Sequence, residues 1–190
     1  MKTAKVLHRG NGKVLAVTKR GKIIHPNIKK LDLSYGDLPP EMGFSKPKGF
    51  LSEILPWNIP TESVEEAYCA YMLNRIPGAQ RMAFMAEVWR VLIPNGKCTV
   101  IVPYWASPRA IQDPNSQWPP MAEQSFLYFN KTFREQNKIK FDWNCDFDFV
   151  YGYTLDPETA NKSDEVRAHW IKHFVNAVAD LSVTLTKRPK

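Results

Sequence analysis

The sequence predicts an α/β fold with a doubly wound, mainly parallel sheet, preceded by an N-terminal β-hairpin extension. Three observations carry this expectation. From residue 29 onward, apolar runs of strand length alternate with segments of helical period, the pattern of strands that cross over through helices. "KCTVIVPYW", residues 97–105, is continuously apolar, as expected of a strand in the middle of a parallel sheet. "GAQRMAFMAEVWRVLIPNG" places Met82, Met85, Val88, Trp89 and Leu92 on one helical face and stops at Pro94-Asn95-Gly96.

The elements follow in order. Residues 1–28 read as a basic hairpin: "AKVLHR", the turn around Asn11-Gly12, "KVLAVTKR", a turn at Gly21 and "KIIHP". Residues 29–190 read as the main domain. It opens with a strand over 30–34, in which Leu31 and Leu33 are core candidates, and a turn "SYGD". Pro39, Pro40, Pro47, Pro56 and Pro60 forbid a long helix over 36–60. A strand at "AYCAYML" and a turn over 74–78 lead into the clear helix and the apolar strand. A proline-rich loop precedes a second helix, about 121–137. The strand "CDFDFVYGYTL", a helix over about 157–178 with Asp156 near its cap, and the strand "LSVTLTKR" complete the chain. Asp142, Asp146 and Asp148 alternate with aromatics, so the aspartates face outward from a half-buried strand.

Composition narrows the class. With 190 residues, 44% hydrophobic and 24% charged, the chain is long enough for one sizeable core and too apolar for a disordered segment. No run approaches the roughly 18 apolar residues that span a bilayer, and "MKTAKVLHRG" has no signal core, so no membrane partner is expected. Cys69, Cys98 and Cys145 are an odd number without close spacing, which argues for buried thiols in a reducing, cytoplasmic compartment and against a zinc site. His169 and His173 would share a helix face but lack a third ligand, so no metal is expected. The net charge of +7 is localised: the first 30 residues hold nine basic residues and no acidic one, leaving −2 for the rest. Such a segment attracts nucleic acid or an acidic protein partner, with Lys13, Lys19, Arg20 and Lys22 as candidate contacts.

"VEEAYCAYMLNRIPGAQRMAFMAEVWRVLIPNGKCTVIVPY" resembles the second half of a class I S-adenosylmethionine-dependent methyltransferase, with Arg90-Val91-Leu92-Ile93-Pro94-Asn95-Gly96 standing for that family's Arg-Val-Leu-Lys-Pro-Gly-Gly. "RAIQDPNSQWPPMAEQSFLYFNK" is similar to a segment of a methyltransferase-like subgroup common in phage and bacterial genomes. The resemblance spans roughly residues 29–187. It implies a Rossmann-like, seven-stranded sheet whose last strand is antiparallel, and S-adenosylmethionine across the carboxyl ends of the first strands. "LDLSYGDLPP" then holds the first cofactor motif, and the candidate cofactor-binding residues are Asp32, Ser34, Tyr35, Gly36, Glu53, Tyr71 and Met72. Glu53 enters as the adenine-side acid if residues 51–55 form the third strand. Tyr104, Trp105 and Arg109, beyond the apolar strand, lie where the methyl acceptor, a small molecule or a macromolecule, would bind.

The sequence departs from the family where the cofactor is touched. Ser34 stands at the first glycine position of the family's Gly-x-Gly and Tyr35 at its middle position, leaving only Gly36, which predicts side chains in the room kept for the cofactor. Phe44 to Leu51 hold only "SKPKGF", so the sheet is expected to be short of one strand, with no ribose-binding carboxylate. The His-x-Leu-Glu-His-like turn reads Tyr71-Met72-Leu73-Asn74-Arg75, and the Asp-Pro-x-His segment reads Asp113-Pro114-Asn115-Ser116. No Gly-x-Ser-x-Gly elbow or phosphate loop offers another chemistry. The sequence therefore supports a methyltransferase-like protein with a degenerate cofactor site. The alternative is a catalytically silent binding or structural protein that uses its basic N-terminal segment. Core residues such as Val91, Leu92, Val100 and Val102 suit either, since packing needs them regardless of activity.

Overall fold

A computed structural model describes residues 7–8, 14–15, 28–46, 55–140 and 144–189. Strands β1 (Leu7–His8) and β2 (Val14–Leu15) pair antiparallel as a separate two-stranded sheet. The Asn11-Gly12 turn, Lys13, Lys19, Arg20, Lys22, Glu53 and Asp142 lie outside the described residues.

The main sheet contains β3 (Lys30–Asp32), β4 (Val64–Ala70), β5 (Leu92–Pro103), β6 (Phe147–Leu155) and β7 (Val178–Lys187) in the order β3-β4-β5-β7-β6. β3, β4 and β5 run parallel, and β7 alone is reversed, pairing antiparallel with both β5 and β6. This is a mixed, mostly parallel Rossmann-like α/β sheet with an antiparallel last strand, as the resemblance implies, but with five strands among the described residues where seven less one were expected. β5 does not sit between two parallel neighbours as its apolar run predicted. It is covered because β7 packs beside it, with Cys98, Val100, Val102, Leu181, Val183 and Leu185 all fully buried. On the free side of β3, among the described residues, Ser45 pairs. It bridges Leu31, accepts from Asp32 N and donates to Lys30 O, both at 2.9 Å.

Helix α1 (Gly78–Val91) buries Met82, Met85 and Val88 against the sheet, as its period predicts. It ends before Pro94-Asn95-Gly96, because a residue preceding proline avoids the helical region and proline brings no N–H. The chain turns extended at Leu92, and β5 runs through the expected stop, with Asn95 at φ 62°. The α1 start lies close to the 117–119 loop: a Cβ on Gly78 would stand 2.8 Å from Pro119 Cδ.

α2 (Pro108–Gln112) follows β5. Two expected long helices are each divided. Over 121–137 a 3-10 segment (Glu123–Phe129) gives way to α3 (Lys131–Gln136), because the Asn130 side chain accepts from Phe133 N and restarts the helix. Over 157–178 α4 (Pro157–Ala160), capped by Asp156 accepting from Glu158 N, is followed by α5 (Asp164–His173), and β7 begins at Val178. His169 and His173 are exposed on α5, and no cluster of potential metal ligands occurs among the described residues. Among those residues no helix is long and apolar enough to cross a membrane.

All three cysteines are free and buried. Burial pushes Cys69 up to about 12 and Cys145 up to about 11, so neither is a ready nucleophile. Arg81 is the strongest polar tie near the carboxyl edge of the sheet. It is 5% exposed and donates to the carbonyls of Leu73, Ile76, Pro119 and Gln117. Burial lowers its guanidinium to about 10, still charged at neutral pH. Arg81→Met leaves those carbonyls without their donor, and urea unfolding should show a loss of about 3 kcal/mol.

Candidate functional site

A cleft of about 330 Å³ opens at the carboxyl ends of β3, β4 and β5, lined by Tyr35, Tyr71, Asn74, Arg75, Pro103, Arg109 and Asp113. The sheet order creates it: the loops leaving three adjacent parallel strands must emerge on the same edge.

The first wall is the loop after β3. Asp32 is buried and its Oδ1 accepts from Ser34 N at 2.7 Å, an Asx turn that bends the chain out of the strand. Ser34 does not project into cofactor room as its position predicted. Its hydroxyl faces β4 and accepts from Ala70 N at 3.0 Å, and the residue is 2% exposed. Tyr35 N donates to Ala70 O, which extends the ladder past the strand end. Gly36 has φ +84°, and no atom lies within 4 Å of a Cβ placed there, so the glycine serves the turn and not a close approach.

Lys46, one residue past the Ser45 bridge, closes this loop from outside. Its Nζ donates to Ser34 O at 2.8 Å and to Gly36 O, and lies 3.6 Å from Asp32 Oδ2 and 3.7 Å from Asp37 Oδ1. The link that lacks a ribose-binding carboxylate thus places an ammonium against the first loop.

The second wall follows β4. Tyr71 holds φ 53°, uncommon for a residue with a side chain, and its hydroxyl donates to Asp180 Oδ2 at 3.2 Å. Asn74 and Arg75 lie in the 3-10 turn Leu73–Arg75. The Arg75 guanidinium stacks 3.8 Å over the Tyr35 ring and pairs with Asp113 Oδ2 at 2.6 Å. Asn74 Nδ2 donates to Ser116 Oγ at 3.3 Å. The two turns that depart from the family at their histidine positions are therefore in contact with each other. The Asn115 backbone N–H, and after it Arg75, hold the Asp113 carboxyl below its usual range.

The third wall comes from β5 and α2. Arg109 NH1 pairs with Asp180 Oδ2 at 2.7 Å, and its guanidinium lies 5.4 Å from the Tyr71 ring centroid. Asp180 reaches this edge from β7, where it pairs opposite Pro103.

Of the residues singled out from sequence, Tyr35, Tyr71 and Arg109 line the cleft. Asp32, Ser34 and Gly36 shape its loop. Met72 is buried in the core, and so is Tyr104, whose ring meets Tyr153 edge-on at 5.6 Å. Trp105 is half exposed and does not line the cleft. Sequence reasoning missed Lys46 and Asp180 and named Asn74, Arg75 and Asp113 only as parts of the two altered turns. The basic link "SKPKGF" and the polar residues at both altered turns were the available signals.

The inward hydroxyl of Ser34 gives a direct test. Restoring the glycine of the resemblance with Ser34→Gly, or removing the hydroxyl with Ser34→Ala, leaves Ala70 N unpaired. Either substitution should lower stability by about 1–3 kcal/mol in urea unfolding.

No protein-family model matches this sequence, and no curated protein sequence matches it. Among solved structures the chain is similar to a SAM-dependent methyltransferase from Archaeoglobus fulgidus, at 9% identity and TM-score 0.47, over 67% of this chain and 61% of that one. It is similar to a loganic acid methyltransferase with SAH, at 11% identity and TM-score 0.47, over 85% of this chain and 74% of that one. It is also similar to the [4+2]-cyclase SpnF, at 13% identity and TM-score 0.43, over 77% of this chain and 57% of that one. The chain thus spans less than two thirds of the length of the archaeal protein and of the cyclase.

Proposed function

We propose that this chain is a methyltransferase-like protein of the S-adenosylmethionine-dependent class whose cofactor site is degenerate, and that it works by binding and not by methyl transfer. One observation carries the reading: the Lys46 ammonium caps the Ser34 and Gly36 carbonyls at the first loop. A cofactor whose amine and sulfonium seek carbonyl and carboxylate oxygens would find the Ser34 and Gly36 carbonyls and the Asp32 carboxylate already engaged by this ammonium. Tyr35 adds to the misfit by holding its ring against Arg75 at the mouth of the cleft. The engaged loop carbonyls and the Tyr35 ring together support a misfit to S-adenosylmethionine in this position.

Calorimetry with S-adenosylmethionine and its demethylated product is the test. The wild-type chain is expected to stay silent at millimolar ligand, and micromolar binding would sink the reading. Lys46→Ala, which frees both carbonyls, should give measurable heat. Silence of that variant too would move the exclusion from Lys46 to the missing carboxylate.

The basic first 30 residues support an acidic partner, with generic duplex DNA as the probe. The expected affinity falls steeply as salt rises, through counterion release from the phosphates. Binding that is absent or insensitive to salt removes nucleic acid as the partner.

A further inference from the structure

The buried side-chain polar atoms that lack a hydrogen-bond partner, among the described residues, are Asn74 Oδ1, Arg75 Nε and Asp180 Oδ1. All three belong to one place. Asn74 and Arg75 line the cleft, and Asp180 holds the hydroxyl of Tyr71 and the guanidinium of Arg109, both of which line it. Asn74 is 6% and Asp180 5% exposed. Buried polar groups without partners are costly and rare, so a cluster of them beside a cavity marks where a ligand completes the bonding. The strained Tyr71 backbone falls at the same spot, as strain at binding sites does.

The chemistry of the cluster restricts the ligand. Two of the open atoms are acceptors and one is a donor, so the ligand must both give and receive hydrogen bonds. The charges are already balanced, with Arg75 on Asp113 and Arg109 on Asp180. An anion would have to compete with those carboxylates, and a cation with those guanidinium groups. Either end of a zwitterion would break an existing pair. A hydroxyl does neither, because it donates to a carboxylate or amide oxygen while accepting from a guanidinium. Tyr35 and Tyr71 supply ring surface beside these groups, and the volume lies at the low end of the range for small-molecule sites, about 300–1,000 Å³.

We propose that the cleft between Tyr35, Tyr71, Asn74, Arg75 and Arg109 binds a neutral polyhydroxyl ligand, a sugar residue, with Asn74 Oδ1 accepting from its hydroxyls, Arg75 Nε donating to them, and Asp180 holding Tyr71 and Arg109 from behind. The proposal rests on reading the cleft as a binding site, and it does not depend on whether Lys46 excludes the cofactor.

The test is titration of the ¹⁵N-labelled protein with the methyl glycosides of glucose, galactose and N-acetylglucosamine, with inorganic phosphate and glycine as the charged comparisons. At least one glycoside is expected to shift the Asn74 side-chain amide and the Arg75 and Arg109 Nε signals. Asn74→Leu should weaken that glycoside by about tenfold, the loss of one good hydrogen bond from a buried acceptor. Arg109→Met, at a half-exposed position, should weaken it as well and covers the case in which Asn74→Leu fails to fold. Cleft shifts caused by phosphate or glycine alone would overturn the proposal, as would no cleft shift with any glycoside. Neither result touches the calorimetric test with S-adenosylmethionine, so the two readings fail separately.

Discussion

Backbone carbonyls that end a strand at the open edge of a sheet need donors, and at the end of β3 two of them, on Ser34 and Gly36, find the same one. The Lys46 ammonium reaches both while standing 3.6 Å from the buried Asp32 carboxylate. A charged donor makes such bonds about twice as strong as neutral ones. The contact fixes where the chain runs after the Asx turn and seats Ser45 beside Leu31. It also engages the polar atoms the loop presents at the sheet edge. A strand end that would otherwise offer carbonyls and an acid to a ligand instead offers a neutralised surface.

The same logic of mutual satisfaction governs the turns across the cleft. Positions 74 and 75 lie after β4, and positions 113 and 116 lie beyond α2. Arg75 pairs with Asp113, and Asn74 with Ser116, so the two turns are matched as a set. Arg81 holds them from beneath by binding carbonyls on both sides, at 73 and 76 and at 117 and 119. A cleft built this way is pre-formed, because its walls are tied to each other and not only to the sheet. The unpaired atoms that remain, on Asn74, Arg75 and Asp180, are then exceptions in a region where the other partners are supplied.

Much of the fold was legible in the sequence because packing writes itself as periodicity. Leu31 and Leu33 and the Met82–Val88 face are apolar at the spacing their elements require and lie in the core, whereas the 97–103 run forms its strand beside an antiparallel neighbour and buries alternate residues. Element ends were less legible. Asn130 divides one helix because its side chain can cap, and Asn95 lets β5 run through a sequence that reads as a stop. The site was legible in part. Tyr35, Tyr71 and Arg109 stand next to strand ends, where local reading reaches. Lys46 and Asp180 act on residues 10 and 71 positions away, by bonds that no local pattern encodes. Ser34 shows the limit from the other side. Its position predicted obstruction, yet its hydroxyl turned inward because the Ala70 N–H at the end of β4 needed an acceptor.

The reversed last strand has a consequence for chemistry as well as for topology. In a parallel neighbour of β5, the residue opposite Pro103 would belong to that strand's carboxyl end, where its own loop would compete for the cleft. Because β7 runs the other way, it delivers its first turn of side chains, with Asp180 opposite Pro103, to the edge where β3, β4 and β5 finish. Asp180 is held by a ladder of seven paired residues from Pro103 back to Lys97, not by a loop. It can therefore stay buried while orienting Tyr71, from the loop after β4, and Arg109, from α2. The carboxylate on the rigid strand sets the geometry, and the groups on the loops adjust to it. Such a division lets a site hold a defined hydrogen-bond pattern while the loops around it vary.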